Sequence, residues 1–187
     1  YLNAGPGAPA FLYVAPKHAD QARAALSGWM GHAKPFAFDL GYQPADGVER
    51  MRVGTPPVLA MAALEASLDI WDRVDMGEVR ARSLALGDLL IAEIARRCPS
   101  LRLVTPPAHA QRGSQVSFAF AGGYAAMQAL IARGVIGDFR APDIMRFGIT
   151  PLYIGEAEVL KAAEIIEEVI NGEVWRRQEY QVVNAVT

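Results

Sequence analysis

The sequence contains a single cysteine, three histidines and no long apolar run. With one cysteine among 187 residues, the chain cannot form an internal disulfide framework, as is typical of proteins from a reducing compartment. The histidines are far apart in sequence and follow no metal-ligand spacing. No apolar stretch approaches the roughly 18 residues that a membrane-spanning helix needs. We therefore expect a cytoplasmic protein without a metal site or a membrane partner.

Positive charge is also scattered rather than concentrated. The 18 basic residues are balanced by 20 acidic ones, which gives a formal net charge of −2. Nucleic-acid-binding domains carry a basic patch or stripe, so the charge pattern indicates no nucleic-acid partner. What the chain does have is 52% hydrophobic and 20% charged residues, the composition of a globular domain.

The first 75 residues show little regular pattern. The apolar run at 11–14 predicts a short buried strand. Residues 27–57 contain nine Gly and Pro and no helical or strand period; an irregular segment of that length is usually functional or part of an interface. Thr55-Pro56-Pro57 predicts a helix start with Thr55 as N-cap. The predicted apolar face of this helix consists of Leu59, Ala63, Ala66 and Ile70.

The remainder of the chain alternates helical and strand patterns. Helices are predicted over 76–97 and 156–170, each with one apolar stripe. Between them, the sequence predicts strands at 101–104, 115–120, 135–136 and 144–147, and a helix over 124–133 closed by Gly134. This βαβ-type run predicts a compact α/β lobe. Residues 1–75 have too little regular structure to close a core alone, which indicates the remainder of a larger domain.

Three residues could carry chemistry, and each has a structural alternative. Trp29 could offer its indole N–H to a ligand or could anchor its loop in an apolar hole. Thr55 could donate its hydroxyl to a phosphate, although Pro56 and Pro57 remove two amides there, or could simply cap the helix. Arg146, a charged residue within an apolar strand, could bind a substrate carboxylate or pair with an internal acidic residue.

Longer blocks of sequence carry a resemblance to a known family. The chain resembles kynureninases in four blocks that follow the family order: YLNAGPGAPAFLYV, GWMGH, GTPPVLAMAALEASLDI and GVIGDFRAPDIMRFGITPLY. The resemblance implies an α/β fold, the C-terminal part of a fold-type-I pyridoxal-phosphate (PLP) enzyme of the aspartate-aminotransferase type. Residues 1–75 would be the remainder of the large PLP-binding domain with a dimer-interface segment. Residues 76–187 would be the linking helix and the small α/β C-terminal domain.

The resemblance also implies a function and a set of site residues. The reaction would be hydrolytic Cβ–Cγ cleavage of L-kynurenine, and also of 3-hydroxy-L-kynurenine, within tryptophan catabolism or NAD biosynthesis. Trp29 and Thr55 match positions that bind the cofactor phosphate from the neighbouring subunit of a homodimer. Arg146 matches the arginine that holds the substrate α-carboxylate. Two alternatives stay open: another fold-type-I enzyme, such as a cysteine desulfurase or an aminotransferase, and a non-catalytic dimerising fragment.

The lysine that carries the cofactor in kynureninases directly precedes the block that matches Tyr1-Leu2-Asn3. None of the lysines in this sequence, Lys17, Lys34 and Lys161, matches that position. The resemblance therefore implies that the chain is the C-terminal part of the enzyme and contains no catalytic residue. Either the protein is truncated, or its sequence is divided at a lysine that carries the cofactor, and we expect the second.

Overall fold

The structure, a computed structural model, describes Gly5 and residues 7–182. The residues up to Arg73 form one compact unit, and those from Val74 onward form a second. The Tyr1-Leu2-Asn3 block, from which the position of the cofactor lysine was expected, lies outside the described residues.

The secondary structure of the described residues comprises six α-helices, four short 3-10 helices and four strands. The helices are α1 (Pro16–Ala19), α2 (Val58–Trp71), α3 (Met76–Arg97), α4 (Gly123–Ile131), α5 (Glu156–Asn171) and α6 (Gln178–Gln181). The strands are β1 (Arg102–Leu103), β2 (Gln115–Ala119), β3 (Asp138–Arg140) and β4 (Ile144–Gly148).

The first unit is built from loops, and its predicted strand is wrong. Residues 11–14 form no strand, and the Phe11 side chain is 78% exposed. An apolar run forms a strand only where another strand can pair with it, because its backbone groups need partners. In the described part of this unit the ladder pairing is limited to an isolated bridge between His32 and Pro44.

Helix α2 begins later than the sequence predicts. Its N-cap is Pro57, and Thr55 caps nothing. Pro57 disfavours the α conformation at Pro56 for steric reasons, and Pro57 itself has an extended ψ of 91°, so the helix starts at Val58. The predicted apolar face is exposed as well: within the described residues the helix buries Ser67, whereas Leu59 and its companions face outward.

In the second unit the two long helices follow the sequence prediction. Helix α3 covers the predicted 76–97, and its N-cap Asp75 accepts a hydrogen bond from the Glu78 amide. Helix α5 covers the predicted 156–170 and ends at Gly172. Their apolar stripes meet in one core, which includes Leu86, Leu90 and Ile94 of α3 and Val159, Ala163 and Ile166 of α5.

The strands form an antiparallel sheet in the order β1-β2-β4-β3. The expected βαβ lobe is therefore correct only in part. Strands β2 and β3, connected through α4, run in the same direction, but β4 lies between them and pairs antiparallel with both. This arrangement is a split βαβ unit.

Strand β3 lies at 138–140 instead of the predicted 135–136. Gly134 adopts a left-handed conformation with φ of +84°, as predicted for the residue that closes α4. The Val135 amide then donates to Leu130 O at 3.0 Å in the last turn of the helix. Because that amide is used by the helix cap, Val135 cannot begin a ladder, and pairing starts three residues later.

The sheet has one face in the core and one polar face. Val116 and Phe118 of β2 and Met145 and Phe147 of β4 belong to the hydrophobic core. Side chains alternate along a strand, so the residues between them point to the opposite face. On that polar face, Arg146 of β4 is paired directly with Ser117 of β2 on one side and with Asp138 of β3 on the other.

Candidate functional site

Trp29 lies at the start of a tight turn that is pressed against another segment of the first unit. The turn covers Trp29–Gly31. A Cβ atom at Gly28 would lie 1.7 Å from the Val53 carbonyl oxygen, and one at Gly31 would lie 2.6 Å from that of Arg50. The glycines on both sides of the Trp-Met pair are therefore required by close backbone contact.

His32 and Tyr42 hold the loop that follows this turn. The Lys34 amide donates to His32 Nδ1 at 2.9 Å, so Nε2 carries the proton and donates to Gly41 O at 3.2 Å. The Tyr42 hydroxyl donates to Gly31 O at 3.0 Å. These bonds tie the irregular segment to the Trp29 turn, and sequence reasoning did not single out either side chain.

The Trp29 ring is accessible rather than buried. It is 47% exposed and contacts Phe36 edge to face, with ring centroids 5.7 Å apart. Together with Lys34, Phe38 and Tyr42 it lines a cavity of about 480 Å³. In this unit Trp29 therefore does not fill an apolar hole, which was one of its two alternatives.

Thr55 is exposed and lies just before α2. Because both prolines precede the helix, its first amides, from Val58 onward, remain present, contrary to the expectation that proline removes them. The first amides of a helix have no acceptor within the helix and favour an anion.

Thr55 is also close to the Trp29 turn. It lies two residues, at most about 7 Å of chain, from Val53, and Val53 contacts Gly28. The structure thus places Trp29 and Thr55 in one cluster of loops.

Arg146 belongs to the second unit, on the polar face of the sheet. Its guanidinium donates from Nε to Asp138 Oδ1 and from Nη2 to Asp138 Oδ2, both at 2.5 Å. The side chains of Arg146 and Asp138 are 28% and 47% exposed. Pairing with an internal acidic residue, one of the two alternatives for Arg146, is therefore present in the structure.

Asp138 is the residue of this site that sequence reasoning missed. Its hydrogen bond with Arg146 lowers the pKa of the Asp138 carboxyl against the effect of burial. Arg140 contributes a second positive charge, 3.5 Å from Asp138 Oδ2. The alternation of polar and apolar residues in Asp138-Phe139-Arg140 is typical of a strand, but the sequence prediction placed the strand at 135–136 instead.

Cys98 is fully buried at the end of α3. Burial raises the pKa of its thiol to about 11. A thiol in that environment stays protonated and inert near neutral pH.

In the described residues, no three His, Cys, Asp or Glu side chains are grouped so that they could hold a metal ion. None of the helices in that part of the chain is long and apolar enough to span a membrane.

The fold is similar to that of several solved structures. A cysteine desulfurase from Escherichia coli matches with a TM-score of 0.66 at 20% identity, over 85% of this chain and 41% of that one. A cysteine desulfurase from Thermococcus onnurineus NA1 matches with a TM-score of 0.70 at 17% identity, over 86% and 42%. The cystine C-S lyase C-DES, solved as a mutant with glycine covalently linked to its PLP cofactor, has a TM-score of 0.60 at 21% identity, over 76% of this chain and 37% of that one. The predicted fold, that of the C-terminal part of fold-type-I PLP enzymes, is thereby confirmed.

Comparison of sequences narrows this class to one family. Residues 79–166 match the family description "Kynureninase C-terminal domain". The kynureninases of Pseudomonas fluorescens and of Burkholderia mallei (strain SAVP1) are each 47% identical to the chain over 189 aligned residues, which cover all of it. The chain spans 45% of the length of these curated relatives. Over its whole length the chain is therefore similar to kynureninases.

Proposed function

We propose that this chain is the C-terminal part of a kynureninase that hydrolyses L-kynurenine to anthranilate and L-alanine. In that reaction the Cβ–Cγ bond breaks, the oxygen of water is retained on Cγ as part of the anthranilate carboxylate, and Cβ gains a proton to become a methyl group. The observation that carries the proposal is the 47% identity to curated kynureninases along the whole chain. The pathway we propose is tryptophan catabolism or NAD biosynthesis, with 3-hydroxy-L-kynurenine as a second substrate.

Trp29 and Thr55 would hold the phosphate of PLP in this protein. Both side chains are accessible and belong to one cluster of loops, and each offers a neutral donor, an indole N–H or a hydroxyl. The first amides of α2 lie just beyond Thr55 and favour an anion there. These features fit a phosphate ester. When bound, PLP supplies the electron sink that allows bonds at the amino-acid carbons to break.

Arg146 would bind the α-carboxylate of the substrate. A guanidinium matches a carboxylate in a planar, bidentate geometry, so it fixes direction as well as distance. Holding the amino acid at this end orients the bond to be cleaved, and orientation of this kind lowers the barrier without further chemistry from the residue. Its place on the polar face of the sheet, partly exposed, suits this role.

We further propose that the protein is a homodimer in which Trp29 and Thr55 complete the site of the neighbouring subunit. The irregular segment of the first unit exposes several large apolar side chains, among them Phe36, Phe38 and Leu40. Exposed apolar surface of this kind is typical of an interface. The domain boundary near residue 75 would then separate an interface-bearing part of the large domain from the small C-terminal domain.

A desulfurase activity is disfavoured by the cysteine of this chain. Desulfurases need a nucleophilic, accessible thiolate, whereas Cys98 is buried and its pKa is raised to about 11. The unpaired thiol also supports the proposed cytoplasmic location, because reducing compartments keep cysteines free.

The activity is tested by incubating the full-length protein and PLP with L-kynurenine and following anthranilate fluorescence. We expect turnover by the wild type. Replacing Arg146 by Ala should raise KM about 100-fold, the loss of two charge-assisted hydrogen bonds, and leave the visible absorbance of the cofactor unchanged. Absence of anthranilate from the wild type would refute the proposed reaction, and loss of cofactor from the Arg146 variant would assign that residue a structural role instead.

The shared site is tested by mixing two impaired variants, Trp29→Ala and Arg146→Ala, at substrate and PLP concentrations at which each variant alone is nearly inactive. If the two residues of one site come from different subunits, each mixed dimer regains one intact site. Random exchange of subunits should then restore about a quarter of the wild-type activity. If both residues of a site come from the same subunit, mixing restores nothing, and the crossed arrangement is wrong.

A further inference from the structure

Arg146 is held by a carboxylate that lies directly opposite it in the sheet. Asp138 of β3 and Arg146 of β4 are register partners, so their side chains leave the same face of neighbouring strands. The carboxylate binds one edge of the guanidinium, through Nε and Nη2. This bidentate, planar arrangement fixes the direction of the guanidinium as well as its distance from the carboxylate.

Two features make Asp138 suited to this task. Interaction with Arg146 lowers the pKa of its carboxyl, so the charge persists across the neutral range. Strand β4 pairs on both sides, with β2 and with β3, so the backbone of Arg146 is fixed. With the backbone fixed and the Nε edge held by Asp138, the orientation of the guanidinium plane is set.

We propose that Asp138 is a positioning residue that orients the guanidinium of Arg146 toward the α-carboxylate of an amino-acid substrate. The proposal rests on the proposed function of Arg146. The competing explanation is a salt bridge that only stabilises the edge of the sheet. Partly exposed ion pairs contribute little to stability. The two explanations differ in substrate binding, which the loss of Asp138 weakens only if Asp138 positions Arg146.

The variants for the test are Asp138→Asn, with Asp143→Asn as the matched control. Asp143 lies near the start of β4, and the structure gives its carboxylate no ion pair with any described residue. The control therefore removes the same charge without touching Arg146. A third variant, Arg140→Gln, controls for the second arginine beside Asp138.

The first measurement is steady-state turnover of L-kynurenine by the full-length protein with PLP. We expect Asp138→Asn to raise KM about tenfold and to lower kcat by a smaller factor, because a guanidinium that is held less firmly binds the carboxylate more weakly and also orients the substrate less well. Both control variants should keep KM within twofold of the wild type. A lower melting temperature with unchanged KM, or an equal rise in KM for Asp143→Asn, would overturn the proposal.

The second measurement does not require turnover. L-Alanine and L-alaninamide differ in the carboxylate alone, and their binding can be followed by the change in cofactor absorbance. The dissociation constant of L-alaninamide divided by that of L-alanine should fall about tenfold in Asp138→Asn and remain constant in Asp143→Asn. An unchanged ratio in Asp138→Asn refutes the positioning role. If the wild type binds L-alanine preferentially but forms no anthranilate, the proposed reaction fails while the role of Asp138 is still decided.

Discussion

Replacement of Arg112 by Met should loosen the second unit more than any surface change of similar size. The Arg112 side chain is 2% exposed. It donates hydrogen bonds to Asp88 Oδ1, to Pro107 O at 3.2 Å and to Leu84 O at 3.3 Å. These bonds fasten the loop between β1 and β2 to the side of α3.

The magnitude follows from the groups that lose their partner. Methionine retains most of the apolar stem but none of the donors. Each of the two carbonyls loses a hydrogen bond worth about 1 kcal/mol, and the charged bond to Asp88 is worth about 1 kcal/mol after discounting for solvent, because Asp88 is 49% exposed. The total is about 2–4 kcal/mol, which corresponds to a loss of protection of about 30-fold or more.

Hydrogen exchange of the α3 amides is the appropriate assay, because it reports on this unit within the full-length protein. The matched control is Arg96→Met, also on α3, whose side chain is 61% exposed and should matter little. A loss of protection below threefold for Arg112→Met, or an equal loss for Arg96→Met, would refute the reasoning.

The same network predicts a dependence on pH. The hydrogen bond from Arg112 lowers the pKa of Asp88 below its ordinary value of 3.8. A carboxyl whose pKa is depressed on folding stabilises the protein above its unfolded pKa, and the contribution is lost as the pH falls through its folded pKa. The difference between wild type and Arg112→Met should therefore narrow when the pH is lowered from about 6 to below about 3.8. A constant difference would show that Asp88 contributes nothing.

Two further substitutions test the packing of each unit. Gly28→Ala places a Cβ 1.7 Å from the Val53 carbonyl oxygen. We therefore expect the Trp29 turn to shift and PLP affinity, measured by equilibrium dialysis, to fall about tenfold. The control Gly41→Ala, where a Cβ meets open space, should not alter PLP affinity. Ile166→Ala removes a side chain that is fully buried in the core and should cost about 2–5 kcal/mol in hydrogen exchange of α5, whereas no loss would mean that the core is not packed as described.

The sequence predicts the long helices well because their signals are local. Helix α3 has an amphipathic stripe, and its N-cap Asp75 and the terminating Pro99 lie beside it in sequence. Helix α5 has a similar stripe and ends at Gly172. Such signals need no knowledge of the rest of the fold. The part of the core that these two helices contribute could therefore be anticipated from the sequence.

The errors concern features that depend on distant partners. An apolar run such as 11–14 is compatible with a strand but requires a second strand to pair with, and no sequence pattern supplies one. The predicted strand at 135–136, by contrast, failed for a local reason, because the Val135 amide bonds to Leu130 O at the end of α4. The cluster of Trp29 and Thr55 depends on contact between Gly28 and Val53, a pairing that spacing along the chain does not reveal.

Arg146 illustrates how closely the register of the sheet and the site are connected. Within Ile144-Met145-Arg146-Phe147 the charged residue interrupts an apolar run, and that oddity marked it as a candidate. The alternation of the strand gives the oddity its meaning: Met145 and Phe147 face the core, so Arg146 must face the opposite side. A slip of one residue would bury the guanidinium and expose both core side chains. The packing that fixes the fold therefore also fixes where the guanidinium and its partner Asp138 can act.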